Sequence, residues 1–198
     1  MEIAFPGNIW LFHLINASTA PNPASVLIAT ALAQYTPWLT IVVLVIYWFL
    51  GPSEKRRTLM IAGVALAIGL ATNFAITFAT YTPRPFELGI GSTLLSHGRE
   101  TSFPSDHATF LWSLGISLLM SRTLPRLGAF IFTLGLATAW ARIYLGVHFP
   151  LDMAASLAIS LLAAAVALVV SKKLDRILFH PVERINAILL QYLHIRTR

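Results

Sequence analysis

The sequence contains no cysteine and few charged residues. The absence of cysteine excludes a disulfide scaffold, a cysteine nucleophile and a thiolate metal site. Charged residues make up only 11% of the 198 residues and hydrophobic ones 57%, with a mean hydropathy of +0.73, whereas about a quarter of a soluble domain is charged. The length would allow one or two soluble domains, but this composition indicates a protein that crosses a membrane several times.

Five apolar runs are candidates for the crossings. The first two exceed the roughly 20 residues that a helix needs to span hydrocarbon, the third and fourth are shorter, and the fifth is close to that length. The runs cover residues 24–51, 58–80, 107–121, 127–141 and 153–171. The fold class predicted is therefore an all-α integral membrane bundle of about five transmembrane helices, preceded by an N-terminal interfacial or re-entrant helix at 3–17.

The chain is predicted to form a single membrane-embedded domain over residues 1–198. Three segments of this domain lie outside the crossings. They are an interfacial N-terminal segment (1–23), an outer loop (81–106) and an amphipathic tail (172–198).

The basic residues are divided very unequally between the two ends of these helices. Eleven of the fourteen Lys and Arg residues fall at one end, which leaves Arg84, Arg99 and Arg142 at the other. Because cytoplasmic loops collect Lys and Arg, the basic end is predicted to be cytoplasmic and to include the C-terminus. The net charge of +6 thus indicates membrane orientation and no nucleic-acid partner. No Lys or Arg precedes Lys55, which argues against a signal peptide.

Three polar clusters share the outer end of the helices, at residues 81–87, 99–107 and 142–152. The stretch from His107 to Arg122 and the stretch from Arg126 to Arg142 would each rise only about 22–24 Å as a helix. This is less than the roughly 30 Å of a hydrocarbon core. His107 and Arg142 are therefore expected at the level of the outer headgroups. Ionisable residues at that depth are costly and indicate function.

The clusters contain the groups of an anion site. Arg84, Arg142 and Arg99 offer guanidinium donors that match phosphate oxygens. Ser105 and Asp106 lie at the start of a predicted helix, where either could cap it and where free backbone N–H groups favour an anion. This site is expected to need neither a metal nor a cofactor.

His148 and Asp152 are four residues apart, so the carboxylate can hold one imidazole nitrogen while the other stays free to attack. His107 lies on another element and is the candidate general acid. Two histidines beside arginines favour phosphoryl transfer, with His148 as the nucleophile. His97, in contrast, has no partner pattern and is predicted to be an ordinary loop residue.

These residues resemble the three-part signature of the type 2 phosphatidic acid phosphatase superfamily. Arg84-Pro85 is similar to the end of its first part, and Pro104-Ser105-Asp106-His107 is similar to the second. The third part is found in Arg142, His148 and Asp152 with its spacings intact.

Three positions depart from this signature. Asp106 replaces a glycine, and Ala141 replaces a serine. Thr77 stands where the signature has a lysine, so one cation of the phosphate site has to come from elsewhere. Arg99 is the predicted substitute.

The sequence further resembles bacterial undecaprenyl diphosphate phosphatases of this superfamily. That resemblance implies removal of the terminal phosphate from the C55 lipid carrier at the periplasmic face of the inner membrane, which recycles the carrier for cell-wall synthesis. The expected partners are a lipid diphosphate substrate and membrane lipids. Three alternatives stay open: a phosphotransferase that passes the phosphoryl group from a prenyl diphosphate to a lipid A-type sugar, a phosphatase for phosphatidic acid or phosphatidylglycerol phosphate, and a binding or transport protein for anionic lipids.

Overall fold

The computed structural model describes residues 5–192, and within that range it is entirely helical apart from turns and loops. Residues 1–4 and 193–198, which hold the ends of the predicted N-terminal segment and C-terminal tail, lie outside the described residues. The α-helices are α1 (Pro6–Ile15), α2 (Pro23–Leu50), α3 (Ser53–Ala79), α4 (Asp106–Leu119), α5 (Pro125–Tyr144), α6 (Pro150–Leu174) and α7 (His180–Tyr192). A 3-10 helix (Pro85–Leu88) follows α3, and a π-helical turn (Asp175–Phe179) joins α6 to α7.

Proline starts four of these helices. Pro6, Pro23, Pro125 and Pro150 each occupy the first turn of a helix, where the missing N–H would have no intrahelical partner and the fixed φ angle suits the helix. The side chain of Asn22 also accepts a hydrogen bond from the backbone N–H of Ala24 (2.8 Å) and thereby caps α2.

Among the described residues, four helical stretches are long and apolar enough to cross a membrane: α2, α3, α5 and the continuous run Pro150–Ile188. The remaining predicted crossing, at 107–121, corresponds to α4, which has 14 residues and packs against α3, α5 and α6. Nearly all of its residues are buried, polar ones included. The predicted all-α membrane bundle is confirmed, with α4 as a short central helix.

Glycines allow α4 and α5 to approach closely. A Cβ atom on Gly128 would lie 2.1 Å from the backbone nitrogen of Leu119, and one on Gly115 would lie 2.7 Å from that of Phe132. Small residues at such contacts let two helix backbones meet, which is the usual way that membrane helices pack.

Helix α1 lies against the ends of α5 and α6. The side-chain oxygen of Asn8 accepts a hydrogen bond from the backbone N–H of Leu151 (3.0 Å), and the ring of Phe12, which is fully buried, packs on Phe149 at 5.3 Å between centroids. Trp10 on the opposite face is exposed. An apolar exposed face above a docked one is typical of a helix at a membrane interface.

The other end of the bundle is closed by ion pairs. Arg56 at the start of α3 pairs with Glu183 of α7, and Arg57 donates two hydrogen bonds to Asp175 (2.5 and 2.8 Å). Helix α6 runs to Leu174, beyond the start at residue 172 that the sequence predicts for the tail. These pairs fix α7 to the base of α3.

Candidate active site

A cavity of about 270 Å³ opens at the end of the bundle where α3 and α5 finish and α4 and α6 begin. All three polar clusters of the sequence contribute to its wall. The lining residues are Thr77, Arg84, His97, Glu100, Thr101, Pro104, Asp106, His107, Arg142 and His148.

His148 and Asp152 form a buried pair in this wall. The His148 Nδ1 atom lies 3.0 Å from Asp152 Oδ2, and both side chains are almost completely buried. A carboxylate oxygen accepts, so Nδ1 carries the proton, and the lone pair of Nε2 is directed to the cavity. The spacing of four residues produces this contact because Asp152 lies in the first turn of α6, just after the loop that holds His148.

Asp152 Oδ2 accepts two further hydrogen bonds. One comes from the backbone N–H of Phe149 (2.9 Å), so that Asp152 caps its own helix. The other comes from the Ser102 hydroxyl (2.5 Å), which is fully buried and also lies 3.4 Å from His148 Nδ1. Three donors thus fix the carboxylate. Ser102 carries no spacing signal in the sequence and was not among the predicted site residues.

The environment of His148 keeps its imidazole neutral. Burial, followed by the neighbouring guanidinium groups of Arg142 and Arg84, lowers the pKa of His148 well below its usual value. A neutral ring with an unprotonated Nε2 is the form that can attack an electrophile.

Arg84 is held by the backbone of two loops. Its Nε donates to the carbonyl of Glu100 (2.9 Å), Nη1 donates to that of Val147 (2.9 Å), and Nη2 donates to that of Thr101 (3.2 Å). Its Nη1 also lies 3.2 Å from His148 Nε2. The guanidinium is therefore fixed beside the nitrogen that is free to react.

Arg142 lies in the last turn of α5, where it is 3% exposed. Its Nη1 donates to the carbonyl of Ala33 (3.3 Å), and its Nη2 lies 3.4 Å from His148 Nε2 and 3.2 Å from His97 Nε2. Its Nε has no partner among the described residues. The predicted helix ended before Arg142 because a charge closes an apolar run, but α5 continues to Tyr144 since the guanidinium finds buried acceptors.

His107 lies in the first turn of α4 and lines the same cavity as His148. It is half-buried, and no hydrogen bond joins it to another described residue. Its ring is thus available to exchange a proton with a bound group.

Ser105 and Asp106 do not cap α4 as the sequence suggests. Ser105 occupies the N-cap position without a side-chain hydrogen bond to the helix, and its hydroxyl is buried with no partner among the described residues. Its backbone N–H donates to Ser156 (2.9 Å), which ties the start of α4 to α6. Asp106 accepts a hydrogen bond from the Asn73 amide (2.8 Å) and lines the cavity, so its carboxylate is turned to α3.

The structure separates Arg99 from the other candidates. Arg99 is exposed and is not among the residues that line the cavity, whereas Thr77 is. His97, predicted to be an ordinary loop residue, is half-buried and lies in the wall beside Arg142. A single histidine within a long loop gives no spacing that the sequence could reveal.

One asparagine positions the outer loop against α5. Asn16 donates from Nδ2 to the carbonyls of Ser92 (2.9 Å) and Tyr144 (3.1 Å), and its Oδ1 accepts from the Ser92 N–H (2.7 Å). Gly146 has φ of 80°, and a Cβ atom there would lie 2.1 Å from the Ser92 carbonyl oxygen. Glycine is required at this contact for both reasons.

Comparisons with known proteins identify the family of this chain. The family model of the PAP2 superfamily matches residues 58–176. The chain is 35% identical over 148 residues to the putative undecaprenyl-diphosphatase YbjG of Escherichia coli, which covers 74% of this chain and 73% of that protein. It is 29% identical over 155 residues to the undecaprenyl-diphosphatase BcrC of Bacillus subtilis, covering 78% and 79%.

A solved structure has the same fold. The crystal structure of Aquifex aeolicus LpxE matches with a TM-score of 0.67 and 27% identity, over 83% of this chain and 96% of that one. The family match extends over more than half of the chain and includes the cavity residues from Thr77 to His148 together with Asp152. The chain therefore belongs to the PAP2 superfamily, as a phosphatase of the membrane.

Proposed function

We propose that this protein removes the terminal phosphate of undecaprenyl diphosphate at the periplasmic face of a bacterial inner membrane and so returns the lipid carrier to cell-wall synthesis. The substrate is favoured by two relatives whose names specify an undecaprenyl-diphosphatase. The observation that carries the chemistry is His148, whose Nδ1 is held by Asp152 while Nε2 faces the cavity between two guanidinium groups.

The first step is transfer of the terminal phosphoryl group to His148. Nε2 attacks phosphorus, the bond from phosphorus to the bridging oxygen breaks, and His107 gives its proton to that oxygen as undecaprenyl phosphate departs. Arg84 and Arg142 bind the oxygens of the group in transfer, where stabilisation of charge supplies most of the catalysis. Asp152 stabilises the positive charge that develops on the ring of His148.

The second step is hydrolysis of the phosphohistidine. A water molecule attacks phosphorus, His107 takes a proton from it, and the bond from phosphorus to Nε2 breaks. Inorganic phosphate leaves, and both histidines return to their starting states. No step requires a metal ion, so turnover is expected to continue in the presence of a chelator.

The distribution of charge supports the orientation. The cavity lies at the end of the bundle with three basic residues, and the ion pairs of Arg56 and Arg57 lie at the other end, with most of the Lys and Arg residues of the chain. By the positive-inside rule the cavity faces the periplasm. Reaction of a cysteine introduced at exposed Arg99 with a reagent that does not cross membranes tests this in intact cells, against a cysteine introduced at Arg122. The chain has no cysteine of its own to interfere.

The activity is tested by phosphate release from undecaprenyl diphosphate with purified protein in detergent and chelator. Phosphatidic acid and phosphatidylglycerol phosphate serve as rival substrates, and lipid A serves as an acceptor. We expect release that prefers the prenyl diphosphate and is abolished in His148→Ala. With a prenyl diphosphate labelled in its terminal phosphate, transfer of the label to lipid A would favour a phosphotransferase. A preference for phosphatidic acid or phosphatidylglycerol phosphate would favour a glycerolipid phosphatase. If His148→Ala retained full activity, the phosphohistidine mechanism would be wrong.

A further inference from the structure

The cavity contains a third histidine for which the two-step reaction has no use. His97 lies in the loop between α3 and α4, lines the cavity and is half-buried. Its Nδ1 lies 3.2 Å from the carbonyl oxygen of Gly98, and its Nε2 lies 3.2 Å from Arg142 Nη2. Because a carbonyl only accepts, Nδ1 carries the proton and Nε2 accepts a hydrogen bond from Arg142.

The same guanidinium nitrogen contacts both His97 and His148. Arg142 Nη2 is 3.2 Å from Nε2 of His97 and 3.4 Å from Nε2 of His148. A phosphoryl group positioned for attack by His148 therefore also lies next to His97. When Arg142 turns its N–H to a phosphate oxygen, Nε2 of His97 loses its donor and faces an anion with an unshared electron pair.

We infer that His97 is a phosphate-binding residue that takes up a proton as the anion enters and becomes the third cation of the site. This inference rests on the proposed function, since it names a further ligand of the same phosphate. The proton comes from water or from the entering hydrogen phosphate group. It binds to Nε2, which then donates to a phosphate oxygen while Nδ1 keeps its bond to Gly98.

The alternatives for a third cation are weaker. Arg99, the substitute that the sequence suggests, is exposed and outside the lining. Thr77 lines the cavity but is uncharged, and its hydroxyl donates to the carbonyl of Phe74 (3.0 Å). His97, in contrast, lies in the wall beside Arg142, and its charge can follow the occupancy of the cavity.

The charges around His97 make this proton uptake depend on the anion. The titratable and charged groups that face the same cavity are Arg84, Arg142, Glu100, Asp106, His107 and His148. Burial and the guanidinium of Arg84 lower the pKa of His97, while the Gly98 carbonyl raises it. A bound dianion reverses the sign of the local potential and favours the imidazolium.

Sulfate is the probe for the test, because it is a tetrahedral dianion that does not titrate near neutral pH. Its binding to the full-length protein in detergent is measured by calorimetry at about pH 6 and about pH 8, in buffers of different ionisation enthalpy, which gives the number of protons taken up. We expect the wild type to take up a proton and to bind more weakly at the higher pH.

The variants separate His97 from the other histidines. His97→Gln should bind sulfate about tenfold to a hundredfold more weakly at the lower pH, as expected for loss of a hydrogen bond between charged partners, and should lose both the pH dependence and the proton uptake. His97→Lys should bind at both pH values, which also shows that the position tolerates substitution. His180→Gln, an exposed histidine at the opposite end, should match the wild type.

The result that overturns the inference is a His97→Gln variant with the affinity and proton uptake of the wild type. Proton uptake that survives in His97→Gln and disappears in His107→Gln would also overturn it. Hydrolysis of undecaprenyl diphosphate by the same samples separates the two proposals. If sulfate binding depends on His97 but the protein does not hydrolyse undecaprenyl diphosphate, the proposed function is wrong and the phosphate site stands. If His97→Gln hydrolyses the substrate with an unchanged KM, the inference about His97 is wrong and the proposed function stands.

Discussion

Replacement of Asp152 by asparagine isolates the charge of the pair with His148. The donors from Ser102, Phe149 and His148 all converge on Oδ2, whereas Oδ1 has no partner among the described residues. The amide oxygen of an asparagine can take the place of Oδ2, and its NH2 group can take that of Oδ1. All three hydrogen bonds then survive, so the variant loses the negative charge and keeps the geometry.

The size of the effect follows from the distance. Two unit charges 3.0 Å apart interact with about 5 kcal/mol at an effective dielectric constant of about 20. The ring of His148 gains only part of a positive charge in the transition state, so about half of this energy is lost in Asp152→Asn. A loss of about 2–3 kcal/mol corresponds to a rate that is roughly a hundredfold lower.

The assay is steady-state phosphate release from undecaprenyl diphosphate, which gives kcat and KM, with the thermal midpoint measured on the same preparations. We expect kcat to fall, KM to change little and the midpoint to stay or rise, because a buried carboxylate is removed. Ser102→Ala is the matched control: it keeps the charge, loses one of three donors, and should reduce kcat by about tenfold or less. A kcat for Asp152→Asn within a few fold of wild type would refute the role of the charge.

Four further outcomes are expected. Arg84→Lys should raise KM and lower the thermal midpoint, because one ammonium group cannot satisfy the three carbonyls that the guanidinium binds; an unchanged midpoint would contradict this. Since the pKa of His148 is lowered in the fold, the unfolded chain binds the proton more readily, so stability should decline as pH falls below about 6.5, and a midpoint series should show a smaller decline in His148→Gln. Asn16→Ala should destabilise the protein by about 1–3 kcal/mol through the lost hydrogen bonds to the outer loop, as chemical denaturation can measure. Excess EDTA should leave turnover unchanged and vanadate should inhibit it; the reverse pattern in a release assay would count against the phosphohistidine.

The helices and the positions of several candidate site residues could be predicted because they leave a periodic or spaced signal. The uncharged runs predicted the helices of the bundle, and the spacing of four residues predicted the contact between the side chains of His148 and Asp152. Arg142 and Arg84 could be identified because a charged residue close to an apolar segment is energetically costly and therefore indicates function. For the helices and for the pair of His148 and Asp152, the regular geometry of a helix relates one residue to another, and the sequence records that relation as a distance along the chain.

The loop between α3 and α4 could not be predicted in the same way. Its path depends on contacts distant in sequence, such as Asn16 with Ser92 and the close approach of Gly146. Ser102 and His97 therefore reach the cavity from positions with no spacing to the residues that they contact. For the same reason Arg99 was a reasonable expectation from charge alone, and the structure places its neighbour His97 in the wall instead.

The difference in length between α4 and α5 explains why the cavity exists. With 14 and 20 residues these antiparallel neighbours rise about 21 and 30 Å, and the close approaches of Gly128 to Leu119 and of Gly115 to Phe132 fix their relative level. In this register the first residue of α4 lies about one helical turn, roughly 5 Å, deeper in the bundle than the last residue of α5. His107 in the first turn of α4 and Arg142 in the last turn of α5 both line the cavity at this step. In the proposed reaction the diphosphate headgroup enters this recess while the prenyl chain stays among the lipid tails, so the depth of α4 suits a substrate that is presented from the membrane.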